Sequence, residues 1–183
     1  MSNNPNASVR SSATVFNGLV FEVRRDTVEL PNGLETTRDI VQHPGAVVIL
    51  PFKRDSKSLV LIKQYRHAVG ESIYEFPAGT LEKGESPIEC AKREIIEEVS
   101  LAAKKITAIG TLYPAPGFCN EVQYLFFAEE LSFAQAPGDE DEIIEVCEFS
   151  MLEFEQIIVE GTLVDAKSIA IYTRAKLMGL LDV

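Results

Sequence analysis

The chain has 183 residues, enough for one domain, or one domain with a small accessory sheet, built around a real core. Its 46% hydrophobic and 25% charged content is ordinary for a globular protein, and no apolar run reaches the roughly 18 residues of a membrane span. A net charge of −11 argues against a nucleic-acid-binding face, and it disfavours anionic substrates unless bound cations reverse the field locally.

Residues 1–14, MSNNPNASVRSSAT, are polar, lack the apolar run of a secretory signal and read as a disordered tail. Residues 15–43 read as a small antiparallel sheet. Segments 15–23 and 27–30 have strand composition, Pro31-Asn32-Gly33 is a turn, and 36–41 is a third strand. Residues 44–183 form the main domain. There, 46–51 (AVVILP) suits a buried strand, 53–56 is a turn, and 58–65 (SLVLIKQY) is a second strong strand. A shorter strand at 73–76 leads into Pro77-Ala78-Gly79. After a helix over about 86–100 come a strand at 106–112, a Pro- and Gly-rich loop at 113–120 and a strand at 122–129. A loop at 134–141, a strand at 142–149 and two helical segments at 151–160 and 165–178 complete the chain. This alternation predicts an α/β sandwich with a mixed sheet. Cys90, Cys119 and Cys147 are odd in number and in no C-x-x-C arrangement, so they read as reduced cytosolic thiols.

The stretch from Gly79 to Leu101, GTLEKGESPIECAKREIIEEVSL, carries the chemistry. On a helix, Glu94 and Glu98 stand four residues apart with Glu97 beside them, so three carboxylates crowd one face. Like charges at that spacing cost an isolated helix roughly 0.2–0.5 kcal/mol per pair. A hard divalent cation repays that cost, because Mg²⁺ and Mn²⁺ prefer carboxylate oxygens with room left for water and phosphate. Ile88, Ala91, Ile95 and Val99 fall on one stripe, expected to pack against a core, with Arg93 and the acidic residues opposite. The bland alternative is a solvated acidic face. The fixed offsets of Gly79, Glu85 and Arg93 from the acidic trio weigh against it.

The segment resembles the Nudix box, G-x5-E-x7-R-E-U-x-E-E-x-G-U with U a bulky aliphatic residue, through Gly79, Glu85, Arg93, Glu94, Ile95, Glu97, Glu98 and Leu101. Ser100 replaces the second glycine. A left-handed residue is usual at that helix end, so serine there predicts a displaced or strained terminus. Lys63-Gln64-Tyr65-Arg66, Glu75-Phe76-Pro77-Ala78-Gly79, Pro116-Gly117 and GTLVDAKS are similar to the ADP-ribose pyrophosphatase branch of that family. The resemblance implies an α/β/α sandwich that hydrolyses the diphosphate bridge of ADP-ribose to AMP and ribose 5-phosphate. Hydrolysis of UDP- or GDP-sugars, or non-catalytic sensing of a nucleotide sugar, stand as alternatives.

It further implies two or three Mg²⁺ ions, with Mn²⁺ as a substitute, held by Glu94, Glu97 and Glu98 and the carbonyl of Ala78. Arg93 and Glu85 match supporting positions, with Arg93 holding the carboxylates in place. The acidic loop suggests Glu140 as general base and Glu142 as a further metal ligand, with Glu142 as base the alternative. Arg66 is expected at a phosphate or ribose, Glu121 at the terminal ribose, and Arg38 at substrate from the small sheet or a partner subunit. His43 and His67 read as structural. The implied state is a cytoplasmic homodimer in which the N-terminal sheets make the contact, with no nucleic-acid or membrane partner.

Overall fold

The computed structural model describes residues 7–136 and 143–182. The chain divides into two compact units. One comprises the residues up to Gly45 together with Tyr113–Val122, and the other Ala46–Leu112 with the residues from Gln123 onward.

The smaller unit is a three-stranded antiparallel sheet in the order β1-β2-β3, from β1 (Ser8–Asn17), β2 (Glu22–Glu29) and β3 (Glu35–Gln42). Two expectations need correcting here. Residues 8–14, expected in a disordered tail, instead pair with β2 from Ser8↔Glu29 onward and so satisfy their backbone without apolar side chains, while residues 1–6 of that expectation lie outside the described residues. The expected strand over 15–23 is broken at Gly18, whose N–H donates to the Phe21 carbonyl at 2.9 Å and turns the chain. The turn at Pro31-Asn32-Gly33 forms as expected: Asn32 Oδ1 accepts from the Leu34 N–H at 3.1 Å, and Gly33 takes φ +82°. The Pro- and Gly-rich loop joins this unit through Val41 N–H to Phe118 O (2.8 Å) and Asn120 N–H to Val41 O (3.1 Å).

The larger unit is a seven-stranded mixed sheet. Its strands are β4 (Ala46–Lys53), β5 (Ser58–Arg66), β6 (Glu71–Glu75), β7 (Ala78–Thr80), β8 (Leu101–Leu112), β9 (Gln123–Phe133) and β10 (Ile144–Ser150). The main path runs β10-β5-β4-β9-β8, with β6 on β5 and β7 on β4. The β4–β9 pair is parallel and the others are antiparallel. Three helices complete the unit: α1 (Pro87–Val99), α2 (Met151–Val159) and α3 (Ala166–Leu177).

Why β4 is apolar throughout is visible in its two faces. Val48, Leu50 and Phe52 enter one core with Phe154 of α2 and Ile171, Tyr172 and Ala175 of α3. Val47 and Ile49 enter a second core with Cys90, Ala91, Ile95 and Val99 of α1. A strand covered on both faces reads as a continuous hydrophobic run because successive side chains serve opposite cores. The sandwich expected from the sequence is present. No helix among the described residues is long and apolar enough to cross a membrane.

Candidate active site

Local sequence fixes α1. Ser86 caps it, its hydroxyl accepting from the Glu89 N–H while the Glu89 carboxylate reaches back to the Ser86 N–H, and Pro87 opens the first turn. At the other end Ser100 takes φ 53°, ψ 38°, the left-handed conformation of the glycine it replaces, and its N–H donates to the Ile96 carbonyl at 3.0 Å. The helix end is therefore in place rather than displaced. One stripe position differs from expectation: Ile88 is exposed, and Cys90 is fully buried in its stead. Burial pushes the Cys90 thiol up to about 12, with the charges of Glu94 and Glu85 adding to the effect.

The acidic face is not a solvated one. Glu94 and Glu98 are buried, at 9% and 6% exposure, against the short strand β7. Glu98 Oε2 accepts the Ala78 N–H at 2.9 Å. The Glu94 carboxyl lies over Gly79, where a β-carbon would sit well under 3.0 Å from all three carboxyl atoms. Arg93 ties the cluster together. Its Nε and Nη2 donate to the two oxygens of Glu85 at 2.9 and 3.0 Å, and its Nη1 donates to Glu94 Oε1 at 2.7 Å and Glu97 Oε2 at 2.9 Å. The hydrogen bond from Arg93 brings the Glu85 carboxyl down to about 2, and these carboxylates in turn raise the Arg93 guanidinium above its usual range. Glu85 also accepts the Glu82 N–H at 3.1 Å, which fixes the loop before the helix.

Ala78, Glu85, Arg93, Glu94, Glu97 and Glu98 are thus brought together by one helix, one loop and one strand. Among the described residues, no group of three or more His, Cys, Asp or Glu side chains is placed to hold a metal ion. None is required, because Mg²⁺ sites usually take one or two carboxylates and keep waters and substrate phosphates as the other ligands. The donors available are hard oxygens, and the missing β-carbon at Gly79 leaves main chain and carboxylate in direct approach, so the residues fit such an ion.

The remaining candidates are distributed differently. Arg66 closes β5 and lies in the same unit as α1, but its fork is turned onto Glu75, with Nε to Oε1 at 2.6 Å and Nη2 to Oε2 at 2.8 Å. Glu75 is 1% exposed and also pairs with Lys167. Burial pushes its carboxyl up, yet the Arg66 hydrogen bonds and the Lys167 charge outweigh that and hold it below the usual range. Neither contact was readable from the sequence, where Glu75 and GTLVDAKS stand only as short motifs 92 residues apart at the Glu75–Lys167 bond. Arg38 and Glu121 belong to the smaller unit. Arg38 Nη1 donates to Thr36 Oγ1 and the Thr37 carbonyl, both at 3.0 Å, and the Glu121 N–H donates to Cys119 Sγ at 3.4 Å. His43 Nδ1 accepts the Gly45 N–H at 3.1 Å, in keeping with a structural role. Glu140 and Glu142 lie outside the described residues.

A Nudix domain matches residues 41–170, which contain the whole cluster around α1. The chain belongs to the Nudix family and is a Nudix hydrolase. Hydrolases of this family generally depend on divalent metal ions. The chain is 41% identical over 156 residues to an ADP-ribose pyrophosphatase of Bacillus subtilis (strain 168), covering 84% of each. It is 39% identical over 157 residues to a methanol dehydrogenase activator of Bacillus methanolicus, covering 85% of this chain and 84% of that protein. A solved structure of an ADP compounds hydrolase shares the fold, with a TM-score of 0.84 at 20% identity, covering 95% of this chain and 94% of the other.

Proposed function

We propose that this chain hydrolyses the diphosphate bridge of ADP-ribose, releasing AMP and ribose 5-phosphate. The observation that carries the reading is the seating of the buried Glu94 and Glu98 carboxylates on the backbone of Ala78 and Gly79, which sets oxygen donors against main chain. The 41% identity to an ADP-ribose pyrophosphatase supports the choice of substrate.

Glu94, Glu97, Glu98 and the Ala78 carbonyl would hold two or three Mg²⁺ ions, or Mn²⁺ in their place. Bound there, the ions supply neutralisation of the charge that builds on the non-bridging phosphate oxygens as water attacks phosphorus. Arg93 supports the reaction from behind, keeping three carboxylates in fixed orientation through its rigid fork. Arg66, Glu121 and Arg38 are assigned to substrate. Glu140 serves as the base that takes the proton of the attacking water and Glu142 as a further metal ligand, with the reverse order the other assignment. A homodimer joined through the N-terminal sheets, in a cytoplasmic setting that keeps Cys90, Cys119 and Cys147 as thiols, completes the reading.

The test is AMP release from ADP-ribose, and nucleotide release from UDP-glucose and GDP-mannose, each with Mg²⁺, Mn²⁺ or chelator. Metal-dependent cleavage preferring ADP-ribose is expected. Preference for another nucleotide sugar would discard the substrate assignment, and binding without turnover under any metal would point to a sensor.

A further inference from the structure

Four consecutive residues, Glu75 to Ala78, are tied between them to four elements of the larger unit, β5, α3, β4 and α1. Glu75 pairs with Lys167 and Arg66, and the Phe76 N–H donates to Ser168 Oγ at 2.7 Å. The Pro77 carbonyl accepts the Ile49 N–H at 2.8 Å, and the Ala78 N–H donates to Glu98 at 2.9 Å. The first two ties lead to the start of α3. Ser168 is fully buried, and its hydroxyl, accepting from Phe76, donates to Asp165 Oδ2 at 2.6 Å. That same oxygen caps α3 by accepting the Ser168 N–H at 3.0 Å, and Asp165 Oδ1 lies 3.1 Å from the Lys167 ammonium.

We propose that Lys167 and Ser168 are positioning residues of the active site, acting through Glu75 and Phe76. The proposal rests on the assignment of Ala78 to the metal side and of Arg66 to substrate. The hydroxyl of Ser168 has one arrangement open to it, acceptor from Phe76 and donor to Asp165, so it fixes the strand end two residues before Ala78. Lys167 acts on the other branch. A single cation would neutralise the buried Glu75, yet two share it. Removing Lys167 leaves the buried Glu75 to be neutralised by Arg66, whose side chain is 38% exposed, and so strengthens the hold of that carboxylate on its planar fork. A contact that merely fastened α3 to the sheet would have no reason to share its carboxylate with the arginine closing β5.

The test compares Lys167→Met, Lys167→Arg and Ser168→Ala with the wild-type chain. It reads kcat and KM for ADP-ribose, melting temperature, and Mn²⁺ binding without substrate by electron paramagnetic resonance. Lys167→Met is expected to raise KM by about tenfold with kcat within about twofold, and Lys167→Arg to restore it. Ser168→Ala is expected to weaken Mn²⁺ binding by about 10–100-fold, the usual range for groups that orient metal ligands. A lowered melting temperature with KM and Mn²⁺ binding unchanged in both variants overturns the proposal. Should Ser168→Ala fail to fold, an unchanged KM in Lys167→Met overturns it alone. If the wild-type chain ignores ADP-ribose while Ser168→Ala still loses Mn²⁺, the substrate reading fails and the positioning role stands.

Discussion

The carboxyl group of Glu94 occupies the space that a side chain on Gly79 would need. The two residues are 15 positions apart in the chain, on α1 and on β7, and their approach decides how the acidic helix is used. Glycine at 79 is demanded by this contact. With Glu98 bonded to the neighbouring Ala78 N–H, the helix presents its carboxylates to backbone rather than to open solvent.

Gly79→Ala should therefore force Glu94 or β7 to move. Overpacking of this kind costs about 1–3 kcal/mol, which for a chain of this size lowers the melting temperature by roughly 2–12 °C. Turnover should fall further than stability does, because Glu94 cannot move without leaving Arg93 Nη1. Melting curves and kcat measured on the same preparation check this, and a variant with normal turnover would show that the close approach is incidental.

Glu98→Gln separates charge from shape. A glutamine oxygen can still accept the Ala78 N–H, so the fold should be kept and the melting temperature should change little. The loss of anionic charge at a proposed metal ligand should lower kcat by on the order of a hundredfold or more. Near wild-type activity in this variant would remove Glu98 from the metal site.

The fold was largely legible because its signals are local. The even and odd residues of β4 each face an apolar core, so an unbroken hydrophobic run marked a strand covered on both sides. The apolar spacing of Ala91, Ile95 and Val99 marked a helix over about 86–100, and α1 runs Pro87–Val99. The polar strand β1 was missed because its residues are mostly exposed and its stability comes from backbone pairing with β2, which leaves no hydrophobic period to read. In the site, the spacing of Glu85, Arg93, Glu94, Glu97 and Glu98 showed the cluster, since all but Glu85 sit on one helix. The Glu75–Lys167–Ser168 arrangement joins segments 92 residues apart, and no local period encodes such a contact. Burial of Glu94 and Glu98 was equally unreadable, because it depends on β7, three residues long and without a pattern of its own.

Acid sensitivity should trace in part to Glu85. Its carboxyl is lowered from 4.5 to about 2 by Arg93, so the folded state prefers it ionised more strongly than the unfolded chain does. The resulting stability is fully present above about pH 4.5 and is lost as pH falls toward 2. Glu85→Gln should be less stable at neutral pH and should show a flatter loss of stability across that window. Urea unfolding at a series of pH values measures both, and an unchanged acid slope would assign the sensitivity to other lowered carboxylates such as Glu75 and Glu129.

Ser100→Gly tests the one departure from the box pattern. Ser100 holds φ 53° at the end of α1, a conformation that costs a residue with a β-carbon about 1–2 kcal/mol and costs glycine little. Glycine adds entropy to the unfolded chain, which returns part of that gain. The net effect should be a stabilisation of about 0.5–1 kcal/mol, or roughly 1–4 °C in melting temperature. Activity should not change, since the Ser100 side chain is absent from the carboxylate network and its N–H bond to Ile96 is backbone alone. A lower melting temperature in Ser100→Gly would mean that the serine side chain contributes more at this turn than its strained backbone costs.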